Sequence, residues 1–75
     1  MKTLGYSRMR FVGKNSLGYI YGKEYALEFL HPNFYERNVL GFSFYIKDMN
    51  GNGLLCPYSS VVTFLMNWEA TKSAI

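Results

Sequence analysis

The chain has 75 residues, a formal net charge of +3, an apolar share of 49% and an aromatic share of 19%, with a single cysteine. That length holds one domain, near the lower size at which a core stabilises a fold without disulfides or metal, and the aromatic content argues against disorder. The lone Cys56 excludes an intramolecular disulfide framework and fits a reducing compartment, so a cytoplasmic protein is expected.

Residues 1–7 read as a leading arm, and no signal peptide is expected because residues 1–12 lack a continuous apolar run. From 8 to 12, Met9 and Phe11 alternate with Arg8 and Arg10, the period of two that a half-buried strand requires. Gly13, Lys14, Asn15 and Ser16 then supply turn chemistry. Residues 17–21 read as a short strand or an extended loop.

The alternation over residues 24–30 is stronger. Tyr25, Leu27 and Phe29 fall on one face, with Glu24, Ala26 and Glu28 on the other, where cross-strand contacts to lysine or arginine are expected. Pro32 ends this strand, and residues 34–38 read as an exposed connection. A third strand is expected over residues 39–48, with Leu40, Phe42, Phe44 and Ile46 inward and Gly41, Ser43, Tyr45 and Lys47 outward. It is placed antiparallel beside residues 24–30.

Asn50-Gly51-Asn52-Gly53 is the strongest turn signal, because Asn-Gly pairs readily take the left-handed conformations of tight hairpins. Residues 54–58 then complete a hairpin. Ser59 and Ser60 offer helix-capping hydroxyls, and Val61, Phe64, Leu65 and Trp68 recur at helical spacing, predicting one C-terminal helix over residues 60–68 and a frayed end at 71–75. The longest nearly apolar run, residues 61–66, is far short of the ~20 residues of a membrane helix, so no membrane partner is expected.

Few residues here carry chemistry. Asp48-Met49-Asn50-Gly51-Asn52-Gly53 matches the opening of a calcium loop, but the twelfth position, where a bidentate acid belongs, is Ser59, and a strand precedes Asp48 instead of a helix. Cys56 and His31 sit in unrelated segments with no orienting third group, and they are too few for a structural zinc site. Gly13-Lys14 and Gly22-Lys23 are isolated dipeptides without the glycine spacing of a phosphate loop. No enzyme activity, metal or cofactor is expected.

The first five cations, Lys2, Arg8, Arg10, Lys14 and Lys23, all precede the first acid, Glu24. Aromatic rings interleaved with cations stack bases or anchor protein partners. The candidate binding residues are therefore Arg8, Arg10, Lys14, Tyr19, Tyr21, Lys23 and Tyr45. In so small a fold the same tyrosines also serve to cover the core ends with their hydroxyls in water.

Arg10-Phe11-Val12-Gly13-Lys14-x-Ser16-Leu17-Gly18, Gly22-Lys23-x-Tyr25, Asp48 with Gly51, Tyr58-Ser59-Ser60 and Phe64-x-x-Asn67-Trp68-Glu69 together resemble small phage and prophage proteins of Gram-positive bacteria. The resemblance implies an SH3-like barrel and assigns no role to any residue; residues 34–38 form a longer connection than it implies. The strand pattern leads to the same class: mainly β, a small, strongly bent antiparallel sheet or SH3-like β-barrel of four to five strands with one helix. The expected function is non-enzymatic binding of a host or phage protein. Nucleic-acid binding through the basic, tyrosine-bearing first third is the alternative, and self-association into a homo-oligomer stays open.

Overall fold

The computed structural model describes residues 1–14, 18–51 and 53–71. Its frame is a five-stranded antiparallel sheet curled into a half-barrel. The elements in chain order are β1 (Lys2–Phe11), β2 (Glu24–His31), α1 (Phe34–Leu40), β3 (Phe44–Asp48), β4 (Leu55–Tyr58), α2 (Val61–Leu65) and β5 (Trp68–Ala70). The strands lie in the order β4-β3-β2-β1-β5.

The alternating residues 24–30 and 44–48 became strands with the expected faces, whereas Leu40 and Phe42, expected inward on the third strand, lie before it and are exposed. In β2, Tyr25 and Leu27 are buried and Phe29 packs against the core, while β3 contributes Phe44 and Ile46. The two strands pair as Phe29↔Ile46 and Glu28↔Lys47, and β3 pairs with β4 as Ile46↔Cys56, the hairpin that the Asn-Gly turn predicts. Asp48 holds the start of that turn by accepting the Asn50 N–H at 3.0 Å, so its carboxylate serves the backbone. Asn15, Ser16, Leu17, Asn52 and the expected frayed end from residue 72 onward lie outside the described residues.

Three expectations are corrected. The leading arm is strand: β1 begins at Lys2 and pairs with β2 from Lys2↔His31 to Arg10↔Glu24, with a register shift between Thr3 and Gly5. The arm's apolar alternation is confined to Leu4 and Tyr6, both exposed, so its conformation is imposed by the ladder that β2 offers. Residues 34–38 belong to a helix, and the third strand is five residues long, starting at Phe44. Asn33 Oδ1 accepts the Glu36 N–H at 2.7 Å while Glu36 Oε1 accepts the Asn33 N–H at 3.1 Å, a capping box that starts α1 directly after Pro32. Gly41, at φ 81°, ends it in the left-handed conformation that favours glycine.

The third correction concerns the C-terminal helix. It spans only Val61–Leu65, and Trp68 belongs to a following strand, β5, that pairs antiparallel with the end of β1. Ser60 caps α2 through the Thr63 N–H at 3.2 Å. The side-chain amide of Asn67 donates to Thr63 O at 2.9 Å, and Asn67 O accepts the Val12 N–H at 2.7 Å. This couples the helix exit to the end of β1, and a Cβ on Gly13 would require the Asn67 side chain to shift. Trp68, four residues after Phe64, reaches the core along a strand as readily as along a helix, which is why spacing alone did not separate the two.

Trp68 is 1% exposed and lies at the centre of the core cluster with Met9, Phe11, Tyr19, Tyr25, Leu27, Phe44, Ile46, Cys56 and Phe64. Its ring centroid is 5.1 Å from Phe11, 4.9 Å from Tyr19 and 5.8 Å from Tyr25, all edge-to-face. Its Nε1–H donates to the Tyr58 hydroxyl at 2.7 Å. Replacing this ring by a methyl group leaves a cavity that such a small body has little means to close. Trp68→Ala is therefore expected to cost about 3–5 kcal/mol and to unfold the domain; an unchanged melting temperature would contradict this account of the core.

Candidate binding surfaces

The two faces of the sheet differ in chemistry. On the outer face, Arg10 of β1 lies between Glu24 of β2 at 3.3 Å and Glu69 of β5 at 3.1 Å, so one guanidinium spans three strands. Those hydrogen bonds, Glu69 foremost, raise the Arg10 pKa further above its ordinary value. Glu28 sits 3.8 Å from Lys47 and accepts from the Thr3 hydroxyl at 2.6 Å. The expected pairing of Glu24 and Glu28 with cations across strands is thus present.

The residues singled out from the sequence do not form one site. Arg8 and Arg10 share the outer face of β1, and Lys14 is exposed beyond the end of that strand. Lys23 lies with its ammonium 5.5 Å from the Tyr25 ring centroid, and Tyr21 is exposed in the adjoining turn. Tyr19 is only 7% exposed, packed edge-on against Tyr25 and Trp68 at 4.9 Å each, and belongs to the core. Tyr45 is corrected likewise: it does lie on the outer side of β3, but at 5% exposure it is covered there, paired with Leu30 and set edge-on to Phe42 at 6.2 Å. Neither ring presents a stacking surface.

Cys56 and His31 are also kept apart by their roles. Cys56 belongs to the core cluster, and burial pushes its thiol above the ordinary value. His31, at the end of β2, accepts at Nε2 from Arg37 Nη2 at 2.9 Å. A cleft of ≈ 480 Å³ beside the β3–β4 turn is lined by Gly18, Tyr19, Asp48, Gly51, Leu54, Leu55 and Cys56. Its carboxylate is committed to the turn, and its thiol and phenol are both kept protonated by burial. Among the described residues no group of three His, Cys, Asp or Glu side chains is placed to hold a metal ion.

The surface that sequence reasoning missed is apolar. A groove of ≈ 330 Å³ on the inner face is lined by Leu4, Gly5 and Tyr6 of β1, by Phe29 and Phe44 of the sheet, and by Val61, Phe64 and Leu65 of α2. Leu4, Val61 and Leu65 form its exposed rim, with Phe64 buried beneath, and Tyr6 borders it from a strand position that shares the outer face with Arg8. A second exposed apolar surface lies on α1, where Phe34 is 80% and Tyr35 75% exposed and no residue is buried. The signal for α1 was present as Asn33-x-x-Glu36 followed by Gly41. The groove left none, because it arises from a strand and a helix more than fifty residues apart in sequence.

No helix among the described residues is long and apolar enough to cross a membrane. Comparison of the chain with protein-family models, curated proteins and solved structures finds no match.

The Tyr58 hydroxyl that receives the Trp68 indole N–H has its pKa pushed up to about 12 by burial, and Tyr19 is raised in the same direction for the same reason. Both phenols are protonated in folded and unfolded chains at neutral pH. As pH rises past the ordinary tyrosine value of about 10, the unfolded chain loses these protons first, so stability is complete below about 10 and falls as pH approaches 12. Titration followed by tyrosinate absorbance and circular dichroism is expected to show late-ionising tyrosines released only with unfolding. Ionisation of all seven tyrosines together with the fold intact would contradict it.

Proposed function

We propose that this chain is a non-enzymatic binding protein built on an SH3-like small barrel, phage- or prophage-derived and cytoplasmic, that acts through contacts with a host or phage protein. The observation that carries this reading is the apolar groove between β1 and α2, with Leu4, Val61 and Leu65 exposed around a floor of phenylalanine rings. Exposed apolar surface of this kind is retained where it is covered by a partner, since it otherwise favours aggregation. Among the described residues the one carboxylate of the cleft beside the β3–β4 turn, Asp48, is engaged by the Asn50 N–H, which supports a binding role over a catalytic one.

Nucleic-acid binding has less support. Arg10 is engaged by two glutamates, and Tyr19 and Tyr45 are covered, leaving Arg8, Lys14, Lys23 and Tyr21 without a continuous stacking platform.

Immobilised protein is expected to retain a specific polypeptide from bacterial lysate at physiological salt and to lose it on Leu65→Glu, a substitution at an exposed rim position that leaves the core intact. Retention of nothing at that salt would overturn the proposal. So would tight oligonucleotide binding that falls steeply as salt rises and disappears in Arg8→Glu.

A further inference from the structure

The two edges of β1 are treated differently. β2 pairs along the strand from Lys2 to Arg10, whereas β5 covers the opposite edge only at Met9, Arg10 and Phe11. Beyond that, among the described residues, the edge from Lys2 to Arg8 meets only the Thr71 hydroxyl, which donates to Arg8 O at 3.1 Å. The direction of the backbone groups follows from their neighbours. Phe11 N–H and C=O turn toward Lys23 and Gly22 on the β2 side, while Val12 N–H donates to Asn67 O on the β5 side. Alternation along an antiparallel strand then points the N–H and C=O of Tyr6 and Arg8 to the open edge. The apolar groove runs beside this edge, rimmed there by Leu4 and bordered by Tyr6.

From this juxtaposition we infer that the open edge of β1 takes up an extended acidic segment of a partner protein as an added antiparallel strand, with alternate apolar side chains of that segment seated in the groove. An added strand gains main-chain hydrogen bonds from the edge and selectivity from pockets that receive every second side chain. Those side chains fall against Leu4, Val61 and Leu65 on the inner face, and the others fall on the outer face beside Arg8.

The sign of the partner follows from the charges. Each acidic side chain of the chain has an internal partner: Glu24 and Glu69 hold Arg10, Glu28 holds Lys47 and Thr3, Glu36 lies 2.9 Å from the Met1 ammonium, and Asp48 accepts from Asn50. Lys2 and Arg8, at the two ends of the open edge, meet no carboxylate among the described residues. A second copy is the poorer occupant, because the edge it offers carries the same cations, Lys2 and Arg8, and its acidic side chains are already paired internally.

The inference rests on the groove being a protein-binding surface, and the test separates the two. A synthetic peptide alternating valine with glutamate is titrated into the full chain and followed by amide hydrogen exchange and fluorescence anisotropy. Protection of the Tyr6 and Arg8 amides is expected, with affinity falling about tenfold or more when glutamate is replaced by lysine and lost when alternate peptide nitrogens are methylated. Tyr6→Pro, which removes one edge donor while sparing the β2 ladder, is expected to abolish binding, and Tyr6→Val to retain it. Binding insensitive to N-methylation would overturn the inference, and so would protection of both amides in the protein alone, from its own C-terminal residues or a second copy. Retention of a lysate partner equally by wild type, Tyr6→Pro and Arg8→Glu would overturn this edge as the docking site while leaving the protein-binding function standing.

Discussion

The position of one indole governs the rest of the structure. Trp68 enters the core from the last described strand, yet it touches rings contributed by β1, β2, α2 and the segment carrying Tyr19. A single side chain therefore joins the beginning of the sheet to its end. Its one polar atom is satisfied by Tyr58 on β4, the opposite edge strand, so the hydrogen bond spans the curled sheet from edge to edge. In a small domain, where the fraction of surface buried is low, concentrating the buried area in a few large rings supplies dispersion and area that many smaller side chains would otherwise have to provide.

That geometry also explains what is left uncovered. The pairing of Phe11 with Trp68 fixes β5 at the far end of β1, and its three strand residues end at Ala70, opposite Met9. Among the described residues the near end of β1 pairs with β2 alone, and it faces α2 across the groove. Among the described residues, two-sided pairing and the apolar rim are thus two consequences of one placement: β1 is paired on both sides where Trp68 sits and on one side where Leu4 and Tyr6 stand. On the outer face the carboxylates are arranged to serve the sheet, with Arg10 shared between the two strands that flank β1, so the positive charge remaining at Lys2 and Arg8 belongs to the open end.

Much of the sheet was legible in the sequence because side-chain alternation in residues 24–30 and around Phe44 and Ile46 reports directly on a two-sided strand. The Asn-Gly turn likewise announced its hairpin. What stayed hidden was structure imposed from a distance. From Lys2 to Ser7 the apolar alternation is confined to Leu4 and Tyr6, both exposed, and only the ladder from β2 makes this stretch strand. Phe64 and Trp68, four residues apart, satisfy helical spacing and also the actual helix-turn-strand path, which the Asn67 contacts to Thr63 and Val12 decide. Tyr45 alternates outward and is nonetheless covered, since Leu30 and Phe42 create a small second apolar cluster that period-two reasoning assigns to solvent. The capping box of α1 is readable as Asn33-x-x-Glu36, but the helix behind it buries no residue and so carries no apolar face to give a helical period.

The claim on which all of this depends is that Trp68 is released only when the whole domain opens. Hydrogen exchange of its indole N–H, measured by nuclear magnetic resonance alongside the backbone amides of β2 and β3, tests it directly. The account predicts that the indole proton exchanges as slowly as the slowest amides of those central strands and with the same dependence on denaturant. Exchange of the indole at a rate typical of a frayed edge, while β2 and β3 remain protected, would show that β5 opens on its own and that the core is organised around something else.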